Sequence, residues 1–313
     1  MSIVITGATG RLGHATMTLL AQTGAPVHVL TRHLAKATTM FGDVAEIHEW
    51  HPQSSPPPAA AFRGAEVVIN LMGEPVTGRW SKTKRQRVID SRVGCTEKLV
   101  HALRDHRVRL VNASSFGFYP GERGENYDES SALQAPDTIV QKIIQDWERA
   151  ALNARRTGNS VAVMRYGMIA GPNAYPQALV TACSRGRGVV MGDGKQTVPL
   201  VDIEDAARLP AWAATVPQVE GPVNAVAPTH VSLDDVVETI RQATGNGPRI
   251  SLPGWAARYW LGPSANYTLG SYNIQPAVAL RNGFEFAVPN AADIVMRALR
   301  HHGDAEPARY QAA

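Results

Sequence analysis

The sequence contains little cysteine, with only Cys95 and Cys183 in 313 residues. Neither belongs to a Cys-x-x-Cys motif, and no His/Cys spacing typical of a metal site is present. The sequence therefore predicts no metal site and no disulfide framework. It also lacks an apolar run long enough to span a bilayer, and no secretion signal precedes its first strand-like segment. We therefore expect a cytoplasmic protein with no membrane partner.

Neither sign of charge is in large excess, since 31 Lys and Arg face 27 Asp and Glu for a net charge of +4. The one dense basic run, from Lys82 to Arg87, is more typical of a solvated helix face than of an anion site. Nothing resembles a nucleic-acid footprint. With 44% hydrophobic and 19% charged residues, the chain can form a sizeable core. We expect a folded protein whose partner is a small molecule.

Short β-branched segments alternate with amphipathic segments through the first half of the chain. This alternation predicts an α/β fold, a doubly wound parallel Rossmann sheet with helices on both faces. The predicted strands are Ile3–Thr6, Val27–Thr31, Val67–Leu71, Arg109–Ala113 and Val161–Tyr166. The predicted helices include Leu12–Gln22, Ser81–Leu103 and Ala135–Arg156.

The pattern loosens after Pro172. We therefore predict a nucleotide-binding Rossmann domain over residues 1–170. A smaller C-terminal α/β substrate-binding region is predicted over 171–303, partly interleaved with the Rossmann sheet. Residues 304–313 are predicted to be a frayed polar tail.

A glycine-rich segment comes after the first predicted strand and opens an amphipathic helix. Its GxxGxxG spacing permits a tight turn and close approach of the backbone to a pyrophosphate, while the helix start supplies unpaired N–H groups. An ordinary strand-to-helix turn is the alternative interpretation. The predicted cofactor contacts are Gly7, Thr9, Gly10, Arg11, Leu12 and Gly13.

The second strand ends at Thr31 and Arg32, where an NAD-selective site usually carries a carboxylate. A guanidinium can instead pair with the 2′-phosphate of NADP, and Arg11 in the glycine loop can assist it. The sequence therefore predicts NADP as the cofactor, with a solvated surface charge as the alternative role of Arg32. A third strand ends in residues suited to backbone contact with the adenosine side of the cofactor: Asn70, Leu71, Met72 and Gly73.

Motifs along nearly the whole chain resemble those of extended short-chain dehydrogenase/reductases. More narrowly, they resemble the atypical group of NAD-dependent epimerase/dehydratase-like proteins that carries a short C-terminal domain of its own. The resemblance implies the Rossmann fold and a nicotinamide cofactor, with Ser114 and Arg165 among the cofactor contacts. The matching segments are Gly7–Gly13, Asn70–Val76, Arg79-Trp80, Asp90–Val93, Ser114–Tyr119, Asp146–Glu148, Arg165–Gly167, Gly171-Pro172, Gly221–Asn224, Ala227-Pro228 and Gly283–Phe286.

Typical relatives use a serine after the fourth strand and a Tyr-xxx-Lys pair on the following helix. By the resemblance, Ser115 matches the serine. Counting from Ser115 and from Glu148 places the tyrosine position at Val140 and the lysine position at Ile144. Neither functional group is present, and the narrower family as a group lacks that pair.

Other side chains near the expected pocket are candidates for the missing chemistry. Tyr119, Tyr166 and Glu74 are candidate proton donors or bases, with packing or loop capping as their alternative roles. Arg92 can bind an anionic substrate group, or form an ion pair on its helix. The substrate contacts predicted from these considerations are Glu74, Trp80, Arg92, Ser115 and Phe116.

The predicted cofactor-binding residues are present, whereas the Tyr-xxx-Lys pair is absent. Two functions are consistent with this combination. The first is an NADP(H)-dependent oxidoreductase or epimerase-like enzyme acting on a small carbonyl or hydroxyl compound. The alternative is an NADP(H)-binding sensor or scaffold that performs no chemistry. Either protein is expected to be a monomer or a homodimer.

Overall fold

The structure, a computed structural model, describes residues 1–76, 80–132, 134–172, 174–185, 188–245 and 248–303. Arg79, which contributed to the family resemblance, and the predicted tail 304–313 lie outside these residues.

The described residues form strands of very different length. They are β1 Ser2–Thr6, β2 Val27–Thr31, β3 Glu46–Glu49, β4 Ala65–Asn70, β5 Arg109–Ser115, β6 Asn126–Tyr127, β7 Ser160–Tyr166, β8 Met168–Ala170, β9 Gly188–Met191, β10 Thr197–Val198, β11 Leu200–Asp202, β12 Gly221–Ala225, β13 Val231–Ser232, β14 Arg249–Leu252 and β15 Asn273–Ile274. The α-helices are α1 Arg11–Ala21, α2 Leu34–Phe41, α3 Lys82–Ile89, α4 Cys95–Ala102, α5 Ile139–Leu152, α6 Gln177–Ser184, α7 Ile203–Thr215, α8 Leu233–Thr244, α9 Gly254–Leu261, α10 Ala265–Leu269, α11 Ala277–Arg281 and α12 Ala291–Gly303.

Seven of these strands form the central sheet, in the order β12-β7-β5-β4-β1-β2-β3. Every neighbouring pair in it is parallel. The order reverses beside β1, so the chain winds outward from β1 to β3 and then from β4 to β12. This arrangement confirms the predicted doubly wound Rossmann sheet, and it leaves a crevice at the carboxyl ends of β1 and β4.

Both faces of the sheet are apolar, as expected of parallel strands covered on both sides. Ile3 and Ile5 of β1 point to the face covered by α1 and α7, whereas Val4 points to the face with Leu99 of α4 and Ala151 of α5. Strand residues alternate between the two faces because the side-chain period of a strand is two. The position of a residue within a strand therefore decides which core it joins.

Residues after 170 contribute directly to the central sheet and to the helices that cover it. Strand β12 pairs with β7 inside it, and α7 packs against α1. A second apolar cluster lies outside the sheet and includes Val180 of α6, Val236 of α8 and Ile294 of α12. The second half of the chain thus supplies one edge of the Rossmann sheet as well as a smaller body beside it.

Two predicted helices have different bounds in the structure. The segment predicted as one helix over Ser81–Leu103 contains a π-helical turn, Asp90–Gly94, between α3 and α4. Helix α5 begins at Ile139 rather than Ala135, because the Thr138 side chain caps it by accepting a hydrogen bond from the Gln141 N–H. Among the described residues, no helix has the combined length and apolar character needed to cross a membrane.

Candidate cofactor and catalytic site

The glycine loop between β1 and α1 is packed so closely that two of its glycines have no room for a side chain. Gly7 has φ +71°, and a Cβ there would lie 2.6 Å from the Leu71 carbonyl oxygen. A Cβ on Gly13 would lie 2.2 Å from the Gly7 carbonyl oxygen. These glycines let β1, α1 and the end of β4 approach one another.

Gly10 has a different environment. It is the N-cap residue of α1, and no side chain caps this helix. A Cβ on Gly10 would meet one atom within 4 Å, the Gly7 carbonyl oxygen at 3.3 Å. The start of α1 therefore has no side-chain cap from its N-cap residue and has room beside Gly10, and this arrangement suits a pyrophosphate.

The carboxyl end of β2 carries no carboxylate. The Thr31 hydroxyl accepts a hydrogen bond from the His33 N–H at 3.1 Å. Arg32 is exposed, and its Nε donates to His33 Nε2 at 3.2 Å. Arg11 begins α1 at the same edge of the sheet and is also exposed. Cations at this edge fit a phosphorylated adenosine ribose.

Asn70 is completely buried at the end of β4. Its amide nitrogen donates to Thr96 Oγ1 at 3.1 Å and to Asn112 Oδ1 at 2.6 Å. Its amide oxygen accepts from Thr6 Oγ1 at 2.7 Å and from the Met72 N–H at 3.3 Å. The side chain is thus fully used in joining β1, β4, β5 and α4, while the predicted backbone contacts of Asn70, Leu71, Met72 and Gly73 with the cofactor stay a prediction.

Two predicted cofactor contacts, Ser114 and Arg165, belong to a buried polar network. Arg165 forms a bidentate ion pair with Glu148, with Nε–Oε1 and Nη2–Oε2 distances of 2.9 and 2.8 Å. Ser114 Oγ donates to the same carboxylate at 2.6 Å. The remaining Arg165 nitrogen, Nη1, donates to Tyr119 Oη at 2.9 Å, and its guanidinium lies over the Phe118 ring. These contacts occupy both side chains inside the protein.

The two predicted tyrosine candidates are also buried. The Tyr119 hydroxyl accepts from Arg165 and donates to Asn224 Oδ1 at 2.8 Å. Burial raises the pKa of Tyr119 to about 12 despite the Arg165 guanidinium. Tyr166 is buried on the sheet face that packs against α7. Its hydroxyl has no hydrogen-bond partner in the described part of the chain, and burial raises its pKa. Tyr119 thus belongs to the buried hydrogen-bond network of Arg165, and Tyr166 belongs to the apolar core of the sheet.

Glu74 lies just beyond β4 but turns its carboxylate towards helix α3. The carboxylate lies 3.2 Å from Lys84 Nζ and 3.5 Å from Arg87 Nε. Its backbone N–H donates to Ser91 Oγ at 3.0 Å. The Glu74 carboxylate is therefore engaged with the two cations of α3.

The π-helical turn positions Arg92 beneath the end of β4. Arg92 Nη1 donates to the Glu74 carbonyl oxygen at 2.8 Å, and a Cβ on Gly73 would lie 3.2 Å from Arg92 Nη2. The guanidinium lies 5.2 Å from the centre of the Trp147 ring. Burial lowers the pKa of Arg92, while Tyr267 and Glu74 act in the opposite direction. Turns of this type are frequent at functional sites because they redirect side chains.

Tyr267, from the short helix α10, reaches the end of β5. Its hydroxyl oxygen lies 3.4 Å from Ser115 Oγ, and its ring meets the Phe116 ring edge-on at 4.9 Å. A Cβ on Gly117 would lie 2.8 Å from the Tyr267 hydroxyl, so a larger residue there would displace the Tyr267 ring. Burial raises the pKa of Tyr267, and the hydrogen bond to Ser115 and the charge of Arg92 oppose that effect.

Sequence reasoning did not identify Tyr267. It lies in the loosely patterned C-terminal half, 152 residues from Ser115, and no local motif marks it. At the two expected positions on α5, Val140 and Ile144 are buried in an apolar cluster with Phe116. Trp80 packs against the same cluster, and its indole N–H donates to the Val76 carbonyl oxygen at 3.0 Å.

The strand order and the glycine loop define a Rossmann-type dinucleotide-binding protein. A family model described as "NAD dependent epimerase/dehydratase family" matches residues 3–226. The chain belongs to this family of extended short-chain dehydrogenase/reductases, which confirms the resemblance found in its motifs. It is an NAD(P)-dependent, epimerase-like protein.

Similar proteins occur in distant organisms. The chain is 26% identical over 312 residues to the chloroplastic epimerase family protein SDR39U1 homolog of Arabidopsis thaliana, covering 96% of this chain and 86% of that protein. It is 29% identical to the epimerase family protein Mb2239 of Mycobacterium bovis, covering 91% and 93% of the two chains. The structure of human epimerase family protein SDR39U1 with NADPH matches with a TM-score of 0.80 and 24% identity, covering 95% and 99%.

Proposed function

We propose that this protein is an NADP(H)-dependent oxidoreductase or epimerase-like enzyme that acts on a small carbonyl or hydroxyl compound. The observation that carries the proposal is the meeting of the Ser115 and Tyr267 hydroxyls beside the half-buried Arg92 guanidinium. Three convergent polar groups at the carboxyl edge of a Rossmann sheet are the arrangement expected of a reaction site.

The residues at the cofactor side fit NADP. The uncapped start of α1 at Gly10 suits a pyrophosphate. The exposed Arg32 suits a 2′-phosphate, because a guanidinium binds phosphate bidentately whereas a carboxylate at this place would repel it. The similar human protein has a structure with NADPH. Selectivity for NADP over NAD is therefore part of the proposal.

The nicotinamide cofactor supplies the redox chemistry when it is bound. The chain's own contribution is to bind and protonate the substrate oxygen. Ser115 Oγ and Tyr267 Oη lie 3.4 Å apart. A substrate oxygen that lies within hydrogen-bond distance of both hydroxyls could therefore interact with the two at once. Burial raises the pKa of Tyr267, so this hydroxyl carries its proton at neutral pH and has it available to donate. The charge of Arg92 opposes that rise in pKa and makes the hydroxyl a stronger acid.

Arg92 completes the proposed site without moving a proton itself. Its guanidinium acts on Tyr267 electrostatically and favours the phenolate that remains after proton donation. In typical relatives a lysine performs this task from the helix that here carries Ile144. In the proposed site of this protein, a cation also lies near a tyrosine. Here the cation is Arg92 of the π-helical turn and the tyrosine is Tyr267 of α10, so neither comes from α5.

The proposal is tested by cofactor oxidation across a panel of small aldehydes and ketones, with NADPH and NADH in parallel. We expect turnover of at least one carbonyl class with NADPH, and its loss in Tyr267→Phe. Tight NADPH binding with no turnover on any compound would instead favour the alternative function, a cofactor-binding sensor or scaffold. That outcome would be consistent with the apolar residues at positions 140 and 144.

A further inference from the structure

Two histidines and a glutamate meet at the edge of the sheet, away from the cofactor loop. His28 lies on β2, and Glu46 and His48 lie on the edge strand β3. Strand pairing sets His28 directly beside Glu46, and His48 comes two residues later on the same face. The donor atoms of the three side chains all lie within 4.8 Å of one another.

The distances between these atoms are short and nearly equal. His28 Nδ1 lies 3.1 Å from His48 Nε2. The Glu46 carboxylate lies 3.5 Å from His28 Nδ1 and 3.3 Å from His48 Nε2. Ligand atoms bound to tetrahedral zinc at about 2.0–2.1 Å are separated by roughly 3.3 Å from one another. Glu46 approaches His28 through Oε2 and His48 through Oε1, so each imidazole nitrogen has the other nitrogen and one carboxylate oxygen at close to the spacing of zinc ligands.

The cluster has a buried side and an open side. The side chains of His28 and His48 are 14% and 9% exposed, whereas that of Glu46 is 63% exposed. A bound ion would thus be held by two imidazoles fixed in the sheet and would keep a coordination position open to solvent.

We propose that His28, Glu46 and His48 form a binding site for a divalent transition metal of the zinc type. Two imidazoles and one carboxylate suit Zn²⁺, Co²⁺, Ni²⁺ or Cu²⁺, whereas Mg²⁺ and Ca²⁺ prefer sites made of oxygen atoms alone. The ion would join the edge strand β3 to β2, the strand that directly precedes Arg32. In this way it would hold the adenosine end of the cofactor site in place.

The competing explanation is a simple hydrogen-bonded cluster, in which one imidazole donates to the other and Glu46 accepts. Such a cluster accounts for the distances between pairs of atoms but predicts no specific metal affinity. The nearby His51 offers a matched control, since it pairs with the Glu49 carboxylate at 3.1 Å on the same stretch of chain and lacks a second histidine.

The test is calorimetric titration of untagged, chelator-treated protein with Zn²⁺, at neutral pH. His301 and His302 are adjacent in the sequence and are a separate source of imidazole, so all proteins carry His301→Asn and His302→Asn. We expect one Zn²⁺ per chain, with affinity at least about 10-fold weaker in His28→Asn and in His48→Asn, because even a partner of a metal ligand contributes that much. His51→Asn should bind as the parent protein does.

Co²⁺ gives a second readout that does not depend on thermal stability. We expect the intense visible absorption of tetrahedral Co²⁺ in the parent protein and in His51→Asn, and its loss in His28→Asn. Circular dichroism in the presence of a chelator verifies that each variant is folded. Unchanged binding in His28→Asn and His48→Asn, no binding in the parent, or equal loss in His51→Asn would overturn the proposal.

Discussion

The hydroxyl oxygens of Ser115 and Tyr267 lie 3.4 Å apart, although 152 residues separate them in the chain. Ser115 ends β5, and Tyr267 belongs to α10 in the C-terminal region. The helix that carries the tyrosine and lysine in typical relatives presents Val140 and Ile144 to an apolar cluster instead. In the proposed reaction, the C-terminal region is therefore part of the catalytic site.

Replacing Tyr267 by Phe should lower kcat/KM for carbonyl reduction by about 10²–10⁴, the usual contribution of a positioned acid. NADPH affinity, measured by fluorescence titration, should change little. The matched control is Tyr175→Phe, since Tyr175 is likewise half-buried and its hydroxyl has no partner in the part of the chain that the structure describes. Equal activity in Tyr267→Phe and the parent protein would rule out a catalytic role for this hydroxyl.

Replacing Arg32 by Ala should weaken NADPH binding by roughly 10- to 100-fold, the range for one lost hydrogen bond to a charged group. NADH affinity should stay nearly constant, because that cofactor has no 2′-phosphate. Lys36→Ala removes another exposed positive charge from the neighbouring helix α2 and serves as the control for general electrostatic attraction. The prediction fails if both cofactors weaken equally.

Gly10→Ala should separate cofactor binding from folding. The added Cβ would meet only the Gly7 carbonyl oxygen, at 3.3 Å, so the melting temperature should change little. It would, however, project into the space at the start of α1 where the pyrophosphate is expected. We predict a large loss of NADPH affinity in Gly10→Ala and a strong loss of stability in Gly7→Ala, which has φ +71°. Paired thermal melts and cofactor titrations verify both.

Arg165→Met should destabilise the protein by about 3–5 kcal/mol, because it leaves the buried Glu148 carboxylate without its cation. Urea unfolding followed by circular dichroism measures the change. The double variant Arg165→Met with Glu148→Leu removes both charges and should recover part of the loss. A single variant as stable as the parent would show that the pair is unimportant for the fold.

Stability should fall at alkaline pH because buried tyrosines must ionise. The pKa of Tyr119 is raised from its ordinary value of 10.0 to about 12. The folded state therefore keeps its proton where the unfolded state loses it. The contribution is complete below pH 10 and is lost as pH rises from 10 to 12, amounting to roughly 3 kcal/mol. Chemical unfolding across this range should give a shallower fall for Tyr119→Phe than for the parent.

Much of the fold could be predicted from the sequence because its signals are local. The predicted strand Val27–Thr31 matches β2, and the glycine spacing from Gly7 to Gly13 lies at the turn between β1 and α1. Period-two alternation, apolar runs and turn glycines depend on residues close in the chain. The bounds of α5 were less accurate, because a cap at Thr138 decides where the helix begins.

The candidate site also has residues that could be predicted from the sequence and contacts that could not. Ser114 and Arg165 stood in recognisable motifs, but the sequence did not reveal that Glu148 takes up both side chains. A motif shows that a residue is present at a place in the fold. The partners of that residue come from other strands and helices, so they depend on how those elements pack.

The Rossmann fold, the family and the position of the glycine loop could be predicted without coordinates, since each depends on patterns within short stretches of chain. The approach of Tyr267 to Ser115 and of His28 to Glu46 could not, because it depends on how distant segments pack. Both meetings join residues from different elements. Their chemistry comes from distances of a few ångströms between side chains, and the packing of the sheet with its C-terminal region decides those distances.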